Sequence, residues 1–486
     1  MLDRRAIGFV LGHSGFFVKV HLPPGGERRG RATLPVMLRP LPAVLAIVLL
    51  AASCGDGPAG ADGVVQDGEP PDLLRPDGPS PVADGGPADA PSPDGSLPAR
   101  YGPTTHSPIT PHVAANLRAI AQRDPTRNGR VFSKIGNSIT VSSFFLHCLA
   151  QSSVDLGSHQ ALSPTHQHFR LDLGGGATSY DRQSLCAVIG WPAHNAIAGS
   201  PSPLEQEVAA ISPRFAVVMY GTNDIGWDNI WQYAGAMLSI TDQLIAGGVI
   251  PLLTLIPPRD DSASADLQVP RYNAVVRGIG QARQVQVIDL HRELMPLDGH
   301  GMASDGLHLD VTGGGCDFSA AGLQHGFNIR NLLTLQALDR ARRVVLDQAP
   351  APDPPGAVLA GDGTKAAPFV IDGLPFTDLR DTMGWGQRAI DSYGCAPSTD
   401  ESGPEYFYRL ELKQPTAIRA MAFDGDGVDI DLHLLGGSIG AAGCIARGDK
   451  LIIATLQPGT YHLALDTYVK SGVEQAGEYL VVVVVD

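Results

Sequence analysis

The sequence predicts an α/β domain with a parallel sheet, followed by a smaller all-β domain. Compact apolar runs alternate with helix-like stretches over residues 104–347, and short alternating strands separated by Gly, Pro and Asp turns fill residues 367–486. Apolar strands that alternate with helices indicate a parallel sheet covered on both faces. Short strands at regular spacing are typical of a β-sandwich.

The first 54 residues predict a signal segment with a lipidation site. Arg39 precedes the apolar run 41–52, which is followed by Ser53 and Cys54. This run is too short for a membrane-spanning helix, which needs about 20 residues. The pattern resembles a bacterial lipoprotein signal, in which Cys54 is lipidated, and Met37 is a natural start for it. Because the same small residues suit an ordinary signal peptidase, we expect an exported protein that is either lipid-anchored in the bacterial cell envelope or secreted.

Two segments predict flexible connections. Residues 55–103 are rich in Asp, Gly, Pro and Ala and lack the aliphatic content to bury a core, which predicts a disordered tether. Residues 348–366 form a second, Pro-rich linker. The net charge of −15 argues against nucleic acid as a partner. Much of this charge lies in the predicted tether and therefore says little about the folded surfaces.

The parallel sheet is predicted from four short runs, of which residues 215–220 and 250–256 are compact apolar runs bounded by Pro or Gly. These strands are residues 131–135, 215–220, 250–256 and 285–290. Apolar residues at three- and four-residue spacing, or a Pro and acidic residues at the start, predict the helices between them. The predicted helices are residues 203–211, 229–246, 266–280 and 320–346.

Six cysteines are present, and an exported protein can keep disulfides. Cys395 and Cys444 lie in one C-terminal segment and are predicted to pair, which would stabilise the fold by a few kcal/mol. The prediction for the second pair is Cys148 with Cys186, which leaves Cys316 free. No CxxC pattern indicates a metal site.

Polar residues follow three of the predicted strands. Ser138 follows the first strand, Asn223 follows the second, and Asp305 and His308 follow the fourth strand and a loop. Each signal alone is more common in an ordinary turn or surface loop. Because the carboxyl ends of parallel strands meet at one edge, where ligand sites form, the coincidence of all three favours a catalytic site.

These residue types suit acyl transfer. A serine hydroxyl is a weak nucleophile, and His308 could take the proton of Ser138. Asp305 could hold the other ring nitrogen and steady the imidazolium. The amide of Asn223, with backbone N–H groups of Ser138 and a glycine, could stabilise the oxyanion. This mechanism requires no metal and no cofactor.

The blocks GNSIT, YGTND and SDGLH, in this order, resemble those of the SGNH (GDSL-type) serine hydrolase family. The resemblance covers residues 104–347 and implies a flavodoxin-like three-layer α/β/α fold with esterase, lipase or deacetylase activity. It implies that Ser138 is the nucleophile and first oxyanion donor and that Asn223 is the amide donor. Asp305 and His308 would complete the triad.

Two departures from the family pattern concern the neighbours of the nucleophile. The usual Asp of Gly-Asp-Ser is Asn137 here, but this residue is not the triad acid and little loss is expected. The family's glycine donor is assigned to Gly190, in CAVIGW, with Gly176, in LGGGATS, as the alternative.

The C-terminal residues 367–486 resemble the bacterial pre-peptidase C-terminal domain, a β-sandwich appended to secreted enzymes. This implies an accessory role. Residues 436–440 match a Gly-x-Ser-x-Gly elbow, but they lie between predicted strands rather than at a strand-to-helix turn. The acidic run 424–431 (DGDGVDID) fits either calcium or simple turn chemistry.

The sequence therefore predicts an exported serine esterase that hydrolyses acyl or acetyl esters through a covalent acyl-serine. The alternative is a non-catalytic surface lipoprotein that binds polysaccharide or protein. The predicted partners are an ester substrate, with acetylated carbohydrate and lipid as candidates, and the membrane through Cys54. Trp191 and Trp227 are candidates either for the pocket lining or for the core.

Overall fold

The computed structural model describes residues 97–227 and 229–486. The predicted signal segment, the lipidation site at Cys54 and most of the predicted tether lie outside the described residues. Within the described ranges, none of the helices combines the length and the apolar character that a membrane span needs.

The first domain alternates helices and strands along the chain. Its strands are β1 (Asn128–Gly136), β2 (Pro213–Met219), β3 (Ile250–Thr254) and β4 (Gln286–Ile288). Its helices are α1 (Pro111–Arg123), α2 (Ser138–Val141), α3 (Ser163–His168), α4 (Pro203–Ile211), α5 (Asp224–Trp227), α6 (Ile230–Ala246), α7 (Ala263–Asp266), α8 (Val269–Ala282), α9 (Leu290–Leu294) and α10 (Gly326–Val345).

The four strands form a parallel sheet in the order β1-β2-β3-β4. Every residue of β2, β3 and β4 is buried, so helices cover both faces of the sheet. Gly136, the last residue of β1, also forms a parallel bridge with Ala187, which extends the edge of the sheet. The predicted three-layer α/β/α arrangement with a parallel sheet is confirmed.

The assignment of residues 97–103 to a disordered tether is wrong. Ala99 and Tyr101 are buried. The backbone N–H of Ala99 donates to Gln284 at 2.7 Å, and that of Tyr101 donates to Gln281 at 2.9 Å. The chain therefore packs against the end of α8 before the first helix begins, because two apolar side chains and two satisfied amides anchor it there.

The C-terminal domain is built from short strands. They are β5 (Phe369–Ile371), β6 (Phe376–Asp381), β7 (Glu405–Leu412), β8 (Thr416–Asp424), β9 (Ile430–Gly436), β10 (Cys444–Gly448), β11 (Leu451–Leu456), β12 (Gly459–Thr467), β13 (Val469–Lys470), β14 (Val473–Glu474) and β15 (Glu478–Val485). One sheet has the order β10-β9-β12-β7-β5 and the other the order β11-β8-β15-β6. Apart from the parallel β5–β7 pair, neighbouring strands in both sheets are antiparallel.

A single apolar core joins these two sheets, which confirms the predicted all-β sandwich. Leu432 and Leu463 from one sheet belong to the same core as Ile418 and Val481 from the other. The Gly-x-Ser-x-Gly segment 436–440 lies in the connection between antiparallel β9 and β10. It is therefore not a nucleophile elbow, which needs a strand-to-helix turn.

The two domains share an apolar interface through β15. Side chains alternate between the two faces of a strand. Tyr479, Val481 and Val483 belong to the core of the sandwich, whereas Leu480 and Val482 belong to the core of the first domain. The continuous apolar run of this strand is therefore buried on both faces.

Ion pairs of Arg283 also join the two domains at this interface. It donates two hydrogen bonds to Asp242 on α6, at 2.7 and 3.0 Å, and two to Glu478 on β15, at 2.9 and 2.6 Å.

We expect Arg283→Met to lower the free energy of unfolding by about 1–3 kcal/mol, because both carboxylates lose a paired partner. Urea unfolding should measure this loss. Arg388→Met, which removes an exposed pair with Glu474, is the matched control and should cost less than about 1 kcal/mol; equal losses would contradict the prediction.

The disulfides differ from the prediction in one pair. Cys395 and Cys444 are bonded, with their Cα atoms 5.5 Å apart. The second disulfide joins Cys148 to Cys316, with Cα atoms 5.8 Å apart, so the predicted Cys148–Cys186 pair is wrong. Cys186 is a free thiol, and its side chain is buried in the apolar core beside the end of β1.

Candidate active site

The turn after β1 places Ser138 at the carboxyl edge of the sheet. Asn137 caps α2, and its side chain accepts a hydrogen bond from the backbone N–H of Ile139. A Cβ on Gly136 would lie 2.4 Å from the hydroxyl oxygen of Thr140 and 2.6 Å from the carbonyl oxygen of Met219. Only glycine fits so close to the backbone, which explains the glycine two residues before the serine.

Ser138, His308 and Asp305 lie in a hydrogen-bonded line. The Nε2 atom of His308 is 2.9 Å from the Oγ atom of Ser138. Its Nδ1 atom is 2.7 Å from Oδ2 of Asp305. The structure therefore brings the turn after β1 together with the turn that carries both Asp305 and His308, 170 residues further along the chain.

The turn that carries Asp305 and His308 is held by its own backbone. The Oδ1 atom of Asp305 accepts from the backbone N–H groups of Leu307 and His308, at 3.0 and 2.9 Å. The N–H of His308 and its imidazole are the main reasons why the pKa of Asp305 is lowered to about 2. The carboxylate is therefore ionised at all ordinary pH values and orients the His308 ring.

Asn223 lies on the neighbouring strand end, after β2. Its side-chain amide donates to the backbone carbonyl of Trp191 at 3.2 Å. Next to it, the buried carboxylate of Asp224 accepts from the backbone N–H of Gly221 at 2.8 Å and from that of Ala193 at 2.7 Å. Asp224 thus ties the Asn223 turn to the loop that follows Gly190, a positioning role that the sequence analysis did not assign.

The two glycine candidates lie in different surroundings. The N–H of Gly176 donates to Asp172 at 3.1 Å within an exposed loop. Gly190 follows the segment that bridges to β1, where the N–H of Val188 donates to the carbonyl of Gly136 at 3.1 Å. This places Gly190 on the loop beside the turn that carries Ser138, whereas Gly176 lies in an exposed loop.

Arg330 on α10 packs against α2, the short helix that begins at Ser138. Its guanidinium is fully buried and donates to the carbonyl of Ile139 at 2.7 Å and to the hydroxyl of Thr140 at 3.0 Å. It also lies 3.6 Å from the ring centre of Phe145, and burial lowers its pKa to about 9. Sequence analysis missed it, because an arginine in a helical pattern is normally a surface residue.

Asn331 joins the loop after Ser138 to the loop after His308. Its side chain accepts from the N–H of Leu146 at 2.9 Å and donates to the carbonyls of Phe144 at 2.8 Å and Gly315 at 3.0 Å. The Cys148–Cys316 disulfide links the same two loops covalently. The segments that carry Ser138 and His308 are therefore connected twice.

The surroundings of the site are partly acidic and partly apolar. A cavity of about 430 Å³ opens beside Asp305. Its lining residues are Asp260, Asp261, Gly299, Met302, Ala303, Ser304, Asp305 and Gly306. Leu185, Ile189 and Leu267 are exposed on loops, and Trp227 is exposed at the end of α5. Trp227 is 78% exposed and is not a core residue, whereas Trp191 is partly buried against the core.

Residues 158–314 match the GDSL-like lipase/acylhydrolase family model. The GDSL-like segment begins after Ser138 and contains Asn223, Asp305 and His308. A search of curated proteins finds no significant match. The GDSL-like match supports an ester hydrolase.

Several solved structures resemble the chain at low identity. A GDSL-like lipase from Bacteroides thetaiotaomicron is 16% identical, with 47% of this chain and 99% of that chain covered and a TM-score of 0.30. A putative acylhydrolase from Bacteroides fragilis is 17% identical, with 47% and 98% covered and the same TM-score of 0.30. An acetylxylan esterase from Geobacillus stearothermophilus is 16% identical, with 44% and 95% covered and a TM-score of 0.30.

Proposed function

We propose that the protein is an exported serine esterase that hydrolyses acyl or acetyl esters through an acyl-serine intermediate. The observation that carries this proposal is the line from the hydroxyl of Ser138 through His308 to Asp305, with distances of 2.9 and 2.7 Å. The GDSL-like match to residues 158–314 supports the same reaction class. Lipid anchoring at Cys54 and an accessory role for the sandwich belong to this proposal.

The first half of the reaction forms the acyl-serine. The Oγ atom of Ser138 attacks the ester carbonyl while Nε2 of His308 takes its proton. The negative oxygen of the tetrahedral intermediate would accept from the N–H groups of Ser138 and Gly190 and from the amide of Asn223. Because the Asn223 amide has two hydrogens and uses one for Trp191, the other is free for the oxyanion. Collapse breaks the ester C–O bond, and His308 returns the proton to the departing alcohol.

The second half releases the acid. Water loses a proton to Nε2 of His308 and attacks the acyl carbonyl, which gives a second oxyanion in the same place. Collapse breaks the bond to Ser138 Oγ, and His308 returns the proton to the serine. Asp305 remains ionised throughout and stabilises each imidazolium.

The charges beside the site are paired, which suits uncharged esters. Three carboxylates, Asp260, Asp261 and Asp305, line the cavity, and each is paired with a neighbouring Arg or His side chain. The exposed apolar side chains of Ile189 and Trp227 lie on the segments that carry Gly190 and Asn223. Short-chain neutral esters and acetylated oligosaccharides are therefore the substrates to compare first.

The test of this function is covalent labelling with a fluorophosphonate, which reacts with activated serines. We expect a stoichiometric adduct on Ser138, identified by peptide mass spectrometry, because the adjacent His308 activates this hydroxyl. The label should disappear in Ser138→Ala and persist in Ser143→Ala, an exposed serine in the next turn. A folded protein that stays unlabelled and hydrolyses no ester would favour the non-catalytic binding protein instead.

A further inference from the structure

A row of acidic side chains lies buried in the sandwich, away from the site described above. Glu405 on β7, Asp466 on β12 and Asp431 on β9 are direct cross-strand neighbours. Glu401, from the segment that leads into β7, joins them. All four side chains are fully buried.

This cluster carries more negative charge than its contacts neutralise. Arg447 pairs with Asp431, and the hydroxyl of Tyr393 donates to Asp466 at 2.6 Å. The carboxyl groups of Asp431 and Glu401 lie against each other. Buried carboxylates without partners are costly, so such a group either takes up a proton or binds a cation.

Polar atoms of Glu401, Asp431 and His433 lie close together in this cluster. Among the described residues, no hydroxyl or amide donates to the oxygens of Glu401 or to Oδ1 of Asp431, and Nδ1 of His433 has no hydrogen-bond partner. The Glu401 carboxyl lies against Asp431 and His433 instead. His433 is fully buried, and its Nε2 atom faces the Oε1 atom of Glu401 at 3.2 Å. One ligand atom from each of these three residues lies within 4.8 Å of the others.

Packing holds the imidazole of His433 in place. Its ring is fully buried and stacks on Tyr393 with 3.6 Å between centroids. Its Nδ1 atom has no hydrogen-bond partner among the described residues, and its Nε2 atom faces Glu401. The buried imidazole therefore adds a nitrogen ligand to the oxygen ligands of the two carboxylates beside it.

We propose that Glu401, Asp431 and His433 bind a divalent metal ion, with Zn²⁺ as the best fit. Zn²⁺ accepts both imidazole nitrogen and carboxylate oxygen at about 2.0–2.2 Å, so tetrahedral ligand atoms lie roughly 3.3–3.5 Å apart. The 3.2 Å separation between His433 and Glu401 already matches this spacing. Ca²⁺ prefers an all-oxygen shell and is the weaker fit to a site with an imidazole.

The path to the site and its effect follow from the neighbouring residues. Asp429 and Asp449, both partly exposed, lie next to Asp431 and would attract a cation from solvent. Glu401 belongs to the segment between β6 and β7, whereas Asp431 and His433 are on β9. A bound ion would therefore fasten this segment onto the sheet.

The experiment measures thermal unfolding of the full chain after removal of metals by a chelator. We expect Zn²⁺ at about 100 times its dissociation constant to raise the melting temperature by roughly 5–10 °C. Glu401→Gln should lose this shift without a lower melting temperature in the metal-free state, because the change removes an uncompensated buried charge. Glu405→Gln changes a neighbouring carboxylate outside the ligand set and should keep the shift.

A second variant separates ligation from packing. His433→Phe keeps an aromatic ring against Tyr393 and removes the nitrogen, so it should fold and lose the Zn²⁺ shift. Elemental analysis of the untreated protein should find about one zinc per chain in the wild type and none in either ligand variant. The absence of both a Zn²⁺ shift and bound metal in the wild type would overturn the proposal. So would a shift retained by Glu401→Gln, or a Ca²⁺ shift as large as that of Zn²⁺ and retained by His433→Phe.

Discussion

Ser138→Ala is expected to lower kcat for a short-chain p-nitrophenyl ester by about 10⁴- to 10⁶-fold. The change removes the oxygen that forms the acyl bond, which lies 2.9 Å from its base, His308. The oxyanion donors remain, so a small residual rate above that of water is expected. Initial rates with purified protein measure the loss, and KM should change little.

The control for this prediction is Ser143→Ala, which alters an exposed serine in the following turn and should leave kcat within about twofold. The double variant of Ser138→Ala with His308→Ala provides a further check. Residues that act as one unit are strongly non-additive, so the double variant should be no slower than Ser138→Ala alone. A Ser138→Ala protein with wild-type kcat would contradict the proposed function.

Asp305→Asn is expected to lower kcat by about 10²- to 10⁴-fold. An amide in place of the carboxylate no longer stabilises the imidazolium and can present an N–H to Nδ1 of His308, which favours the wrong tautomer. Two backbone N–H groups already bond to the Asp305 side chain, so the turn itself should remain folded. Rates across a range of pH, with circular dichroism as a check of folding, measure the effect.

The pH dependence gives this prediction a second readout. The pKa of Asp305 is lowered from 3.8 to about 2, so the carboxylate stays charged in the folded protein down to about pH 2. Any stability that this shift contributes is present above about pH 4 and is lost as the pH falls from there to about 2. A fall in the wild-type rate between pH 8 and 4 therefore reflects another group. Asp310→Asn, which changes a similar Asp–His pair with His325, is the control and should keep kcat within about threefold. Equal losses in both variants would show that the effect is structural.

The fold was predictable where one local pattern dominates. The helix 203–211 has the predicted bounds, because a serine cap, a proline and an acidic first turn all mark its start. The packing of Ala99 and Tyr101 was not predictable, since a Pro- and Asp-rich composition outweighs two apolar residues in a short segment. The unbroken apolar run of β15 indicates that both faces of this strand are buried. It does not indicate that the first domain covers one of them, because that depends on how the two domains pack.

In the candidate site, the residues that follow strand ends were predictable, but the buried residues that hold them in place were not. Ser138, Asn223, Asp305 and His308 carry signals, because each follows a strand or a characteristic turn. Arg330 and Asn331 carry none, since nothing in a helical repeat distinguishes a buried polar residue from a solvated one. The error in cysteine pairing has the same origin: loops that are far apart in the sequence meet only through the packing of α10.

The bond between Cys148 and Cys316 ties together the loops that hold Ser138 and His308, so the separation of these two side chains depends on whether the chain matures in an oxidising compartment. In a thiol-rich cytosol, the hydroxyl and the imidazole would depend on Asn331 and ordinary packing to hold their separation. In an oxidising environment, a covalent tie restricts the same separation even when the surrounding loops fluctuate. Recombinant batches that differ only in the oxidation of these two cysteines are then expected to differ in specific esterase activity. The reduced batch should be the less active one.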